Sequence, residues 1–177
     1  KIMPSSLSVK EMRRTNPEKM KDFRKDFRKL SGTVIVDSSA GLGYEASCAM
    51  ELADEIIVVT NPEMPAVTDA LKAVKLAEQL KKPVMGVIVT RVRKDEIELE
   101  PETVKEMLEV PILGMVPEDI AVKKSIRNKG TVVHLHPKSG AARAYKEIAA
   151  KILNVPYDSD KDREGFFERF SAWLGFR

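Results

Sequence analysis

Short β-branched runs recur along this chain, separated by stretches with helical periodicity, and few fold classes can satisfy that pattern. The runs Thr33–Val36, Glu55–Thr60, Pro83–Thr90 and Ile112–Met115 are apolar without alternation, which marks strands buried on both faces. Between them lie segments of helical spacing; in Ala66–Leu80, Val67, Ala70, Leu71, Val74 and Ala77 share one face. A parallel strand must be reached by a crossover, so the order predicts an α/β fold with a mostly parallel sheet and helices on both faces. Further helices are predicted from the Asn16–Pro17 start through Met20, Phe23, Phe27 and Leu30, at Ala46–Leu52, Thr103–Leu108, Ile120–Ile126 and Ser139–Leu153. A last short strand is predicted at Thr131–Leu135.

The 177 residues carry 30 Lys+Arg against 27 Asp+Glu, a net charge of +3. That near balance gives no general reason to expect nucleic acid as a partner. A hydrophobic fraction of 43% and a charged fraction of 32% are those of a globular chain with a real core. Cys48 is the sole cysteine, so no disulfide and no cysteine-cluster metal site forms within one chain. No apolar run reaches the length of a membrane span and no secretory signal opens the sequence, so the expected location is cytoplasmic. The chain begins at Lys1 without an initiator Met, so its start can lie further upstream.

In a parallel α/β sheet ligands gather at the carboxyl ends of strands. Val34-Ile35-Val36-Asp37 followed by Ser38-Ser39-Ala40-Gly41 has the form of a Walker B element: an apolar strand that delivers one carboxylate, suited to magnesium, to the sheet edge. A strand-terminal Asp that caps the next turn has the same local sequence. The turns at Thr60–Glu63, Val89–Arg91 and Val116–Asp119 each have a plain turn reading as well.

The order of these pieces is more specific than any one of them. Val34–Leu42, Ala53–Glu63 with Ala66–Ala70, Gly86–Arg91, Ile112–Asp119 and Ser139–Tyr145 together resemble the MinD/ParA family of P-loop ATPases, in particular its archaeal MinD-like branch. The resemblance implies a three-layer P-loop fold, ATP and Mg2+ as cofactors, and a spatial switch for cell division or related cargo. It makes Asp37 the metal-positioning Walker B carboxylate and Gly41, within the switch Ser38–Gly41, the sensor of the terminal phosphate. Thr90, Arg91, Pro117, Glu118 and Asp119 would line the adenine site. The family role further implies an ATP-bound homodimer, reversible attachment to the inner face of the membrane, and a protein cargo that the sequence does not identify.

Three departures qualify this. Thr90 stands where the family usually has Asn, and Ser39 where it usually has Pro. No Gly-rich loop with a phosphate-binding lysine occurs in these residues; neither Gly41-Leu42-Gly43 nor Lys138-Ser139-Gly140 fits the pattern. The chain thus resembles the later two-thirds of the family domain, and the expectation is that it does not hydrolyse ATP alone. In the family the phosphate-loop strand is central, so Thr33–Val36 is expected to have an unpaired apolar edge.

The expected organisation is a domain at 1–154, a linker at 155–160, and an amphipathic helix at 161–177. In that tail Phe166, Phe170 and Trp173 align at about 100° per residue, flanked by Phe167, Leu174 and Phe176. With four cations and three acids its net charge is only +1. Docking on the parent domain is the plain reading of such a helix. The linker and the similar tail of MinD proteins shift the expectation to weak binding at a membrane interface. His134, His136 and Cys48 read as structural, and the mixed-charge Lys19–Lys29 helix as a solvated face. Two alternatives differ in class: a partition-type ATPase that binds DNA, against which the aromatic tail argues, and a non-enzymatic membrane adaptor that keeps the fold but has lost nucleotide.

Overall fold

A computed structural model describes residues 24–30, 32–38, 41–93 and 95–157. They fall into two compact units that divide between Asp54 and Glu55. In the first, residues 24–28 are helical and α1 runs Tyr44–Leu52. Arg24 and Arg28 both donate to Asp54 Oδ1, at 2.8 and 2.9 Å. They hold that carboxyl down at about 2, the Arg24 hydrogen bond contributing most. Thr33–Val36, expected as a strand, is irregular. Val34 and Ile35 are 42% and 88% exposed. The sequence has strand composition, but an extended segment becomes a strand only where a neighbour satisfies its N–H and C=O groups, and no such ladder forms among the described residues.

The second unit carries the sheet, with parallel strands in the order β1 (Ile56–Thr60), β2 (Val84–Val92), β3 (Ile112–Pro117). β2 and β3 each run two residues further than their sequence patterns suggest. The crossover helix α2 (Met64–Gln79) starts with Pro65 in its first turn and buries Val67, Ala70, Val74 and Ala77, the face its periodicity implies. Helix α3 (Pro101–Leu108) opens the same way on Pro101 and buries Val104 and Leu108. Residues paired across parallel strands point to the same side. Val58, paired with Val87, is buried on the side where α2 packs.

On the other side, Val116 and the partly buried Ile88 pack with α4 (Ile120–Arg127), α5 (Val132–Leu135) and α6 (Gly140–Ile152) through Ala121, Val132, Ala141, Ala142 and Ile148. Two glycines make this close packing possible. A Cβ on Gly114 would lie 2.3 Å from Ile148 Cγ1, and one on Gly86, at φ +153°, would lie 2.4 Å from the Pro111 carbonyl oxygen.

Thr131–Leu135 is not the expected strand. Thr131 Oγ1 accepts from the His134 N–H at 3.3 Å, and the Thr131 carbonyl accepts from Leu135 at 2.9 Å. The threonine side chain thus caps a short helix, and local side-chain bonding overrides the β-branched composition. Cys48 is partly buried in α1. Among the described residues no helix is long and apolar enough to cross a membrane.

Candidate nucleotide site at the strand ends

Three βα loops meet at the carboxyl ends of β1, β2 and β3. The Thr90 hydroxyl donates to the Thr60 carbonyl oxygen at 3.0 Å, which ties the end of β2 to β1. The β2–β3 register then shifts between Val89 and Val92. Within that irregularity Arg91 takes φ +57°, a left-handed backbone that costs a side-chain-bearing residue roughly 1 kcal/mol. Its side chain is exposed. Ladder pairing resumes at Val92, whose carbonyl accepts from the Glu118 N–H at 2.9 Å.

Asp119 is the most heavily bonded of the candidate residues. Its Oδ1 accepts from the Ala121 N–H at 2.8 Å, which caps α4. Its Oδ2 accepts from the Ala141 N–H at 3.1 Å, in the first turn of α6. These amides, Ala121 first, hold its carboxyl below the ordinary carboxylate range, as expected for an anion that satisfies helix-terminal N–H groups. Ser139 Oγ accepts from Ala142 N–H at 3.2 Å and completes the start of α6. Thus one carboxylate fixes two helix N-termini to the end of β3. With both oxygens engaged in this way, Asp119 acts as a structural node.

Arg93 organises the remaining loops. Its N–H donates to both Glu98 carboxylate oxygens at 2.9 and 3.0 Å. Its guanidinium lies 3.3 Å from Asp95, 3.5 Å from Glu63 and 3.7 Å from Glu118. The connector folds back so that Leu99 N–H donates to the Pro62 carbonyl at 2.8 Å. Glu118 also pairs with Lys123 at 3.3 Å, and the exposed Pro117 ends β3. At the end of β1, Asn61 Oδ1 is buried with no hydrogen-bond partner, so an acceptor stands ready beside the strand ends.

The structure therefore gathers Thr90, Arg91, Pro117, Glu118 and Asp119 around the ends of β2 and β3. Asp37 and Gly41 belong to the other compact unit. Asp37 is exposed, and Gly41, at φ +94°, has nothing within 4 Å of where a Cβ would stand. Ser39 and Ala40 of the expected switch, Lys94, and every tail residue named above lie outside the described residues. The Arg93 node and Asn61 were not singled out in the sequence. Asn61 had a visible signal, because it follows a buried strand directly; Arg93 sat in what looks only like a charged connector.

An exposed guanidinium and an unpartnered amide oxygen can bind a planar heterocycle by stacking and hydrogen bonding. No histidine stands among these loops for proton transfer. No group of three metal-ligating side chains occurs among the described residues.

Comparison with known proteins finds relatives over most of the chain. Residues 19–160 match the profile of the family described as 4Fe-4S iron sulfur cluster binding proteins, NifH/frxC family. An uncharacterized ATP-binding protein of Methanocaldococcus jannaschii is 37% identical over 98% of this chain and 66% of its own length. The septum site-determining protein MinD of Bacillus subtilis is 30% identical over 91% of this chain and 63% of its own. Among solved structures, the cell division ATPase MinD of Pyrococcus furiosus superposes with a TM-score of 0.76 at 26% identity, covering 84% of this chain and 63% of that one. MinD of Pyrococcus horikoshii, complexed with Mg-ADP, gives 0.75 at 26% identity, covering 83% and 60%. The chain thus spans about two thirds or less of the length of these relatives. An iron–sulfur cluster needs several thiolates, and a chain with Cys48 alone does not fit one.

Proposed function

This chain belongs to the MinD/ParA family of P-loop ATPases, and we propose that it is the base-binding and switch portion of a MinD-type spatial switch. In this reading ATP with Mg2+ drives dimerisation, paired tails hold the membrane, and hydrolysis releases them. Arg91 and Thr90 contact the adenine, and Asn61 offers it an acceptor. Asp119 holds the starts of α4 and α6 so that Pro117 and Glu118 present their backbone to the base. Asp37 positions the metal, and the Gly41 N–H senses the terminal phosphate. Bound Mg2+ would neutralise the phosphate charge that develops on transfer. Phe166, Phe167, Phe170, Trp173, Leu174 and Phe176 supply the membrane anchor.

The observation that carries this reading is an exposed, left-handed Arg91 at the end of β2, beside the three βα loops that Arg93 ties together, with the partnerless Asn61 Oδ1 at the end of β1. Because the 177 residues contain no Gly-rich lysine loop, they bind nucleotide weakly and do not turn it over alone. Phosphate release should equal a no-protein blank; release well above it, abolished by Asp37→Ala, would overturn that statement. Co-sedimentation with anionic liposomes should fall when Phe166–Arg177 are deleted. The same missing loop favours a second reading, a membrane adaptor without nucleotide. Ligand-observed NMR with adenosine separates the two, since an adaptor gives no saturable signal.

A further inference from the structure

Between Ile120 and Lys146 the chain has seven Lys or Arg and no acidic residue, although overall it carries 30 cations and 27 acids. This stretch forms α4, α5 and the start of α6, which pack on one another, and Asp119 ties the starts of α4 and α6 together. Lys123, Lys124, Arg127, Lys129, Lys138 and Arg143 are all exposed. At the N-terminal margin the carboxylates are engaged: Glu118 pairs with Lys123, and Asp119 accepts from two helix amides; at the other margin Glu147 is exposed. On α4 the buried Ala121 and Ser125 define the inner face. At about 100° per residue Ile120 then falls within the outer cationic stripe, between Lys124 and Arg127. Ile120 is 62% exposed and Ile126 70%.

We propose that this basic, isoleucine-studded face is a second membrane contact, made by the folded domain to anionic phospholipid. Lysines meet lipid phosphates as point charges while their stems lie along apolar surface. Ile120 and Ile126 gain from shallow burial among the headgroups. Nucleic acid phosphates would use the same cations but leave both isoleucines in water. The inference rests on the membrane attachment proposed above and extends it from the tail to the domain, where two weak contacts act together by avidity.

The test uses the full chain and vesicles of phosphatidylcholine with about one third phosphatidylglycerol. At roughly fivefold per charge, Lys124→Gln with Arg127→Gln should lower partitioning about 25-fold. It should leave the circular dichroism and melting temperature unchanged. Ile120→Ser should lower partitioning several-fold while leaving any binding to duplex DNA unaltered. A chain carrying Phe170→Ser and Trp173→Ser should keep a phosphatidylglycerol-dependent remainder that the two Gln substitutions remove. If the double Gln variant matches the parent, the proposal falls. It falls equally if that variant loses duplex DNA binding while vesicle binding persists, which would assign the face to nucleic acid. If the tail substitutions change nothing and the Gln pair still acts, the tail reading fails and this one stands. Should the first pair disturb folding, Lys129→Gln with Lys138→Gln asks the same question in the turns that precede α5 and α6.

Discussion

The two edges of the sheet are finished differently. At β3, α6 packs so closely that Gly114 has no room for a Cβ, and Val116 is 2% exposed. At β1, which among the described residues pairs with β2 alone, Val58 is buried on one side, yet Ile57 and Val59 on the other are 37% and 62% exposed. Both strands have the composition of a two-sided buried strand. The difference teaches that the apolar run reports what a strand is built to bury, while its neighbours decide whether it is buried. Parallel strands are normally covered on both faces, so the bare side of β1 is where a further strand and helix of the P-loop fold would sit.

Crowding at the β3 edge gives the largest expected effect. Gly114→Ala should cost about 3 kcal/mol, because the buried Ile148 has nowhere to move. That lowers the melting temperature by roughly 6–12 °C for a chain of this size. In an Ile148→Ala background the same change should cost under about 1 kcal/mol; equal costs in both backgrounds would show that the edge is not crowded.

Next is the Asp119 node. Asp119→Ala removes two helix-start acceptors and should destabilise by about 2 kcal/mol, seen in urea unfolding. Its depressed carboxyl value means its stabilisation is complete above the ordinary carboxylate range and is lost as pH falls below it. The parent should therefore lose more stability than Asp119→Asn between neutral pH and about pH 3. A parallel pH dependence in the two proteins would remove the node from the account.

Arg93→Met should cost about 1 kcal/mol, since Glu63, Asp95 and Glu118 are partly exposed and the buried Glu98 side chain, 3.4 Å from the guanidinium, keeps the Arg93 backbone N–H. It should nonetheless speed amide exchange of Leu99, whose bond to Pro62 closes the connector. At the open edge, Val59→Lys should change stability by less than about 0.5 kcal/mol while reducing self-association in light scattering, because a charge blunts an exposed strand. A large loss of stability there would mean that Val59 is already covered.

Helices α2, α3, α4 and α6 and the strands β1 to β3 were legible, because the apolar runs and burial periodicity are local properties. The strand at Thr33–Val36 was not, since pairing is a property of the neighbour. Thr131–Leu135 misled through its β-branched residues, and only the threonine cap, a single hydrogen bond, reverses them. The family resemblance singles out Thr90–Arg91 and Pro117–Asp119, and the structure sets them at the ends of neighbouring strands, where they remain the proposed site. The left-handed turn of Arg91 carries no local signal, and the use of Asp119 by two helices depends on where α6 begins in space. Arg93 could be recognised as a hub only once three separate loops had been brought together.

The central claim is that these residues supply the base side of a nucleotide site and not its phosphate cradle. The most direct measurement titrates adenosine and ATP, each with and without Mg2+, into the 177-residue protein and follows ligand-observed NMR. The account predicts millimolar-range affinities within about threefold of one another, as suits a small ligand held only by its base, insensitive to Mg2+ and weakened alike by Arg91→Ala. Binding of ATP with Mg2+ a hundredfold tighter than adenosine would contradict it, because the triphosphate would then have a cradle within these residues.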